Sequence, residues 1–87
     1  MLLKNKNAVI YGGGGAIGGA AARVFAREGA RVFIAGLTQA KLDVVATDIT
    51  AAGGAVETAQ VDAFDQQAVE KHADAIAAKA GGIDIAL

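Results

Sequence analysis

The stretch that decides the fold of this chain reads YGGGGAIGGA, residues 11–20. A short apolar run, Ala8–Ile10, comes before it, and a helical pattern of apolar residues follows it. Glycine occupies six of the positions 12–19, so a strand end and a helix start are joined by nearly bare backbone. Such backbone adopts positive φ without a Cβ penalty, and the first turn of a helix presents unpaired N–H groups with partial positive charge. The stretch therefore predicts an anion site, and pyrophosphate is its usual occupant.

The rest of the chain alternates between strand-like and helix-like segments. We expect strands at 6–11, 31–35, 55–62 and 83–87, and helices at 16–28, after Thr38 and after Asp65. Thr38 and Asp65 are the expected N-caps, and glycines end each helix. This βαβαβαβ order predicts an α/β fold, with a parallel sheet and right-handed crossovers. The expected strand order is 3-2-1-4, one half of a Rossmann-type doubly wound sheet with ligands near strand 1.

Apolar spacing predicts which helix faces are buried. In the first helix these residues are Ile17, Ala20, Ala21, Val24 and Phe25. In the second they are Leu42, Val45, Ile49 and Ala52, and in the third Val69, Ala73, Ile76, Ala77 and Ala80. Phe64 is expected to pack on Val69 as a hydrophobic staple. Residues 1–87 are expected to form a single domain truncated in strand 4, whose edge would be bare and open to self-association.

The composition limits the classes of function. The net charge is −1 and no basic stripe occurs, which argues against nucleic acid as a partner. The chain has no cysteine, which fits a reducing compartment. It has no signal-peptide core and no apolar run long enough for a membrane helix. We therefore expect a cytoplasmic protein.

The glycine stretch matches known motifs in two registers. Residues 13–18 fit G-x-G-x-x-G, the dinucleotide fingerprint. Residues 12–18 fit the G-x-x-x-G-I-G spacing of the short-chain dehydrogenase/reductase family, with Ala16 in place of the middle glycine. Alternatively, the glycines have no ligand and only allow a tight turn between the first strand and the first helix. A P-loop is disfavoured because no Lys-Ser or Lys-Thr follows, and a receiver domain because no acidic residue ends strand 1.

The resemblance to this family extends along the whole chain. Residues 8–12 resemble the family's first strand, with Tyr11 where threonine is usual, and residues 61–65 resemble the segment after strand 3. Residues 82–87 resemble the lead into the family's Asn-Asn-Ala-Gly motif. The family's catalytic Asn, Ser and Tyr-x-x-x-Lys lie further along, so no residue here takes those roles. Tyr11 is not the catalytic tyrosine, because position 15 is glycine.

The resemblance also implies a cofactor site. No metal site is expected, because the sequence has no cysteine and only one histidine. Lining the pyrophosphate and the adjacent ribose would be Gly12, Gly14, Gly15, Ile17 and Gly18. Asp62 would accept a hydrogen bond from the adenine amino group, and Ala63 would pack against the ring. Asp62 is alternatively an ordinary turn residue. His72 is expected to be a solvated or boundary residue of the third helix and not a metal ligand.

The end of strand 2 bears on the choice between NAD and NADP. An acidic residue there binds the ribose 2′-hydroxyl, whereas a nearby arginine accepts a 2′-phosphate. Gly36 stands at the acidic position and Leu37 where NADP-preferring relatives often have arginine. Neither determinant is present, which leaves Thr38 or Lys41 to meet a 2′-phosphate. These residues favour NADP over NAD as the expected cofactor.

Two hypotheses of function follow. The first is the N-terminal dinucleotide-binding part of an NAD(P)-dependent short-chain dehydrogenase/reductase. Its intact form would transfer hydride between nicotinamide and a carbonyl or alcohol, whereas these 87 residues alone would be inactive. The second is a non-catalytic nucleotide-binding module, or a truncated product that needs a partner.

Overall fold

A computed structural model describes all 87 residues. Its elements are β1 (Asn7–Tyr11), α1 (Ala16–Arg27), β2 (Arg31–Gly36), α2 (Gln39–Ala51), β3 (Ala55–Gln60), α3 (Gln66–Ala80) and β4 (Ile85–Ala86). The four strands are parallel and lie in the order β3-β2-β1-β4. The predicted fold class and strand order are therefore confirmed. The last strand is shorter than predicted, since only Ile85 and Ala86 pair with β1.

The sheet separates two layers of unequal size. Alternate residues of β1 and β2, such as Ile10 and Ile34, face α1 and α2 and belong to a cluster of ten buried residues. Their neighbours Val9 and Phe33 face the opposite side, where Ile76 of α3 completes a cluster of three. The helices α1 and α2 thus cover one face of the sheet and α3 covers the other, as right-handed crossovers in this strand order require.

The buried face of α1 differs from the predicted one. Ile17 is 88% exposed and Val24 is 43% exposed. The residues that α1 buries are small: Gly19, Ala22 and Ala26. A Cβ atom on Gly19 would lie 3.2 Å from Val45 Cγ2 of α2, so α1 lies too close to its neighbours for large side chains. Of the predicted face, Ala21 and Phe25 are half-buried and pack against the core, whereas Ile17, Ala20 and Val24 are exposed. Small residues therefore occupy the most closely packed positions of α1.

The other helices follow their predictions in part. On α2, Leu42, Val45 and Ile49 are buried as predicted, whereas Ala52 is exposed at the C-cap. On α3 only Ile76 is buried; Val69, Ala73 and Ala80 are half-buried and Ala77 is exposed. Phe64 is 96% exposed, so the predicted staple onto Val69 is wrong. On this side of the sheet only Val9 and Phe33 form a buried cluster with Ile76, so most of α3 stays at least partly exposed.

The helix ends depend on a few local features. Gly29, Gly53 and Gly81 adopt φ of +97°, +86° and +86° after α1, α2 and α3, which confirms that glycine ends each helix. Asp65 is the N-cap of α3, and its side chain accepts a hydrogen bond from the Ala68 N–H at 3.1 Å. None of the three helices is both long enough and apolar enough to cross a membrane.

Candidate functional site

The glycine-rich loop is held against the end of β2. The N–H groups of Gly12 and Gly13 both donate to the Ala35 carbonyl oxygen, at 2.7 and 3.1 Å. Gly12 adopts φ of +76°, a conformation that favours glycine. The Gly15 N–H then donates back to the Gly12 carbonyl oxygen at 3.0 Å, which turns the chain into α1. Backbone hydrogen bonds therefore define the shape of the loop.

Close packing accounts for three further glycines. A Cβ atom on Gly13 would lie 2.6 Å from Ile34 Cβ, and one on Gly14 would lie 2.9 Å from Lys41 Cβ. A Cβ atom on Gly18 would overlap the Gly12 carbonyl oxygen. The bare backbone is thus required by the turn itself, before any ligand is considered.

The start of α1 presents free hydrogen-bond donors. The N–H groups of Ala16, Ile17 and Gly18 have no partner within the chain. No acidic residue occurs in this first turn, so no carboxylate competes for the donors. Unpaired N–H groups and the positive end of the helix dipole favour an anion here. A pyrophosphate group fits this donor set.

Six of the predicted site residues line one cleft of about 90 Å³. They are Gly12, Gly14, Gly15, Gly36, Leu37 and Thr38, and Lys41 and Leu42 complete the lining. Lys41 is the cationic residue of this lining, and it forms no ion pair within the chain. A larger cleft of about 280 Å³, between the outer ends of α1 and α2, contains none of the predicted site residues.

The end of β2 leaves polar groups accessible. Thr38 occupies the N-cap position of α2 as predicted, but its hydroxyl makes no capping hydrogen bond. Leu37 is 61% exposed, and its carbonyl oxygen accepts a hydrogen bond from the Gln60 side chain at 2.7 Å. The hydroxyl of Thr38 and the apolar surface of Leu37 are therefore both open to a ligand.

The turn after β3 lies beside the end of β2. The Val61 N–H donates to the Gly36 carbonyl oxygen at 2.9 Å, which places Asp62 just beyond the carboxyl ends of β2 and β3. One carboxylate oxygen of Asp62, Oδ1, accepts from the Phe64 N–H at 2.9 Å, as in an Asx turn. The other oxygen has no protein partner, and Ala63 is exposed. Asp62 therefore has a structural role in the turn and still one oxygen free for a ligand.

The side chain of Tyr11 lies against α3. Its hydroxyl is 3.3 Å from His72 Nδ1 and 3.4 Å from the Val69 carbonyl oxygen. Burial raises the pKa of Tyr11 and lowers the pKa of His72, so the phenol and the neutral imidazole are favoured. His72 is half-buried, as expected for a boundary residue.

Asn7 is a structural residue that sequence reasoning missed. Its side-chain amide donates to the carbonyl oxygens of Ala80 and Gly82 at 3.2 and 3.0 Å, and its N–H donates to Asp84 Oδ2 at 2.8 Å. These bonds attach the end of α3 to the start of β1. The sequence did contain one indication of this role. Asn7 is a polar residue at the start of a buried strand, where its side chain can bond only to the ends of neighbouring elements.

Comparison with known proteins agrees with this geometry. The family model described as short chain dehydrogenase matches residues 6–87. The chain belongs to the short-chain dehydrogenase family. It is 41% identical over 83 residues to the uncharacterized oxidoreductase YxbG of Bacillus subtilis, covering 95% of this chain and 30% of the relative. It is 39% identical over 87 residues to meso-2,3-butanediol dehydrogenase of Serratia marcescens, covering 100% of this chain and 34% of the relative.

Solved structures of the family have the same fold. A metagenomic short-chain oxidoreductase in complex with NADP superposes with a TM-score of 0.94 at 32% identity, covering 99% of this chain and 39% of that one. A citronellol catabolism dehydrogenase of Pseudomonas aeruginosa superposes with a TM-score of 0.92 at 30% identity, covering 98% of this chain and 36% of that one. The chain thus spans about a third of the length of the curated relatives it matches.

Proposed function

We propose that this chain is the N-terminal dinucleotide-binding part of an NAD(P)-dependent dehydrogenase. The observation that carries the proposal is the turn at the start of α1, where three unpaired N–H groups follow the loop whose Gly12, Gly14 and Gly15 line the cleft at the carboxyl ends of β1 and β2. The nicotinamide ring, when bound, supplies the hydride acceptor or donor. The residues of this chain bind and orient the dinucleotide.

Each part of a dinucleotide has candidate partners in this arrangement. The N–H groups of Ala16–Gly18 would bind the pyrophosphate, because they are free and lie at the positive end of α1. The unpaired carboxylate oxygen of Asp62 would accept from the adenine amino group. Ala63 and Leu37, both exposed, would offer apolar surface to the ring.

We infer a preference for NADP over NAD. Gly36 leaves no carboxylate at the end of β2 to repel a 2′-phosphate or to bind a 2′-hydroxyl. Thr38, whose hydroxyl makes no capping hydrogen bond, and Lys41, which forms no ion pair, line the same cleft. The NADP complex of the metagenomic relative supports a nicotinamide dinucleotide as the ligand.

The test of this preference is a pair of lysine variants. NADPH and NADH affinities of the chain and of Lys41→Gln should be compared by isothermal titration calorimetry. Loss of one exposed phosphate contact should weaken NADPH binding by about fivefold to tenfold and leave NADH nearly unchanged. Lys71→Gln, which removes an exposed lysine of α3 away from the cleft, is the matched control. An unaltered chain that prefers NADH by tenfold or more would contradict the preference.

We expect this chain by itself to show no turnover. Its single tyrosine, Tyr11, is followed four residues later by Gly15 and not by lysine. An assay for carbonyl reduction at the expense of NADPH tests this expectation, and measurable turnover contradicts it. A chain that binds the dinucleotide firmly without turnover also fits the alternative of a non-catalytic nucleotide-binding module. The cytoplasmic location stays a prediction.

Self-association through the β4 edge is a further part of the proposal. β4 pairs with β1 through only two residues, and the apolar side chain of Leu87 is 59% exposed. An unpaired strand edge with apolar side chains favours pairing with another chain. Sedimentation velocity should detect dimers at micromolar concentration, and a monomer at all concentrations would contradict this part.

A further inference from the structure

Tyr11 and His72 connect the two ends of the proposed site. Tyr11 is the last residue of β1, directly before Gly12 of the glycine loop. His72 lies in α3, whose N-cap Asp65 closes the turn that contains Asp62. One partner of this contact is therefore attached to the pyrophosphate side of the site, and the other to the adenine side.

The contact is specific in geometry. The two rings meet edge to face, with centroids 5.7 Å apart and an interplanar angle of 74°. The Tyr11 hydroxyl lies within hydrogen-bonding distance of both His72 Nδ1 and the Val69 carbonyl oxygen. Both side chains are half-buried, so the hydrogen bonds are partly shielded from water.

The number of protons defines the direction of these hydrogen bonds. A phenol carries one proton and can donate to only one acceptor, whereas its oxygen can also accept. Both contacts are hydrogen bonds only if His72 carries a proton on Nδ1. In that arrangement the His72 Nδ1–H donates to the Tyr11 oxygen, and the Tyr11 hydroxyl donates to the Val69 carbonyl oxygen. Two simultaneous hydrogen bonds therefore require the Nδ1–H tautomer of His72.

Few other contacts hold α3 to the sheet near this end. Ile76 is the one fully buried residue of α3, and Asn7 binds the opposite end of the helix. A groove of about 190 Å³ separates part of α3 from β3. The position of the N-terminal half of α3 relative to the glycine loop therefore depends strongly on Tyr11.

We propose that Tyr11 and His72 are positioning residues, which keep the glycine loop and the Asp62 turn at the separation that one dinucleotide spans. This inference rests on the proposed function, because it assumes a ligand that contacts both sides. Neither side chain needs to touch the ligand. Their effect is preorganisation, which strengthens binding by removing the cost of ordering the two halves upon association.

The test compares a ligand that spans the site with one that does not. NADPH would contact both the Asp62 turn and the free N–H groups of Ala16–Gly18, whereas adenosine 2′-monophosphate has no pyrophosphate and would leave those N–H groups unbound. Tyr11→Phe in the full chain should weaken NADPH binding by about fivefold to tenfold, the effect of one lost hydrogen bond. Binding of adenosine 2′-monophosphate, followed by NMR titration, should change by less than about twofold. A general loss of structure would instead weaken both ligands equally.

Two variants of His72 test whether an N–H donor at this position is enough to maintain NADPH binding. His72→Asn keeps an N–H donor close to the position of Nδ1 and should bind NADPH within about twofold of the unaltered chain. His72→Ala should be as weak as Tyr11→Phe, and the double variant should be no weaker than either, since the two residues act as one pair. Equal losses in His72→Asn and His72→Ala would overturn the inference.

A measurement without ligand separates this inference from the proposed function. Amide hydrogen exchange at Gly12 and Gly13 of the free chain should be faster in Tyr11→Phe than in the unaltered chain. An unaltered chain that fails to bind NADPH overturns the proposed function, and exchange then reports whether the pair positions the loop. Unchanged exchange, or unchanged NADPH affinity in a chain that binds it, overturns the inference.

Discussion

The two faces of the sheet are stabilised by different means. On the α1 and α2 face, ten buried residues form one cluster, and small residues let the helices approach closely. On the α3 face the buried cluster has only three residues, and polar contacts of Asn7, Tyr11 and Glu57 attach the helix. The glycine loop belongs to the first face, so its shape depends on packing, whereas the position of the Asp62 turn depends on a few specific contacts.

Charge does not distinguish the two faces. Arg23 pairs with Asp48 at 2.7 Å between α1 and α2. Glu57 of β3 pairs with Lys79 of α3 and with Arg31 of β2. All these side chains are at least 36% exposed, and such pairs contribute about 0–1 kcal/mol each. The difference between the faces therefore comes from apolar burial.

The largest expected effect compares the same substitution on both faces. Ile49→Ala on α2 should lower the free energy of unfolding by about 3–4 kcal/mol, and Ile76→Ala on α3 by about 2 kcal/mol. Ile49 is enclosed by the larger cluster, whereas Ile76 adjoins the groove between α3 and β3, where water can occupy the space. Urea unfolding of both variants measures the difference. Equal losses would show that the two faces are packed equally well.

The second prediction concerns the loop on the well-packed face. Gly18→Ala should lower the free energy of unfolding by about 1–3 kcal/mol and abolish NADPH binding, because the new methyl group would overlap the Gly12 carbonyl oxygen. Gly15→Ala is the matched control: its Cβ would lie 3.3 Å from the same oxygen. We expect the control to lose less than about 1 kcal/mol. Similar losses in both variants would contradict a packing origin for the loop shape.

The third prediction concerns pH dependence on the α3 face. Burial lowers the pKa of His72 in the folded chain below its ordinary value of 6.5. As the pH falls through 6.5 the unfolded chain takes up a proton first, so the stability falls from there down to the folded pKa. His72→Asn should make unfolding less sensitive to pH across this window, as measured by urea titrations at several pH values. An unchanged pH profile would contradict it.

The smallest expected effect concerns Glu57. Lys79 and Arg31 hold the pKa of the Glu57 carboxyl below its ordinary value of 4.5. Its contribution to stability is therefore present above pH 4.5 and is lost as the pH falls through the lower folded pKa. Because the side chain is 36% exposed and screened by solvent, Glu57→Gln should cost less than about 1 kcal/mol near pH 7. Thermal unfolding of both proteins should be compared with and without about 0.5 M salt, a concentration that strongly screens exposed charges. A loss of stability in Glu57→Gln that salt does not reduce would contradict the prediction.

Local patterns explain why so much of the fold was predictable. Short apolar runs, glycine-terminated helices and N-cap residues such as Asp65 are determined within a few residues of one another. The βαβαβαβ order then leaves one favoured handedness for each crossover. The strand order and the place of the glycine loop followed from these signals, and so did the cleft that gathers Gly12, Gly36 and Thr38.

The sequence by itself thus determined the order of the elements and the place of the glycine-rich turn. The tertiary structure decided which face of α1 is buried, that Phe64 stays exposed, that Lys41 lies beside Gly14, and that Tyr11 meets His72. Apolar spacing favours the large side chains of α1, but the close approach of α2 and the sheet buries the small residues Gly19, Ala22 and Ala26 and leaves Ile17 and Val24 exposed. Contacts between residues 61 positions apart, such as Tyr11 and His72, depend on how whole elements pack, and no local pattern encodes them.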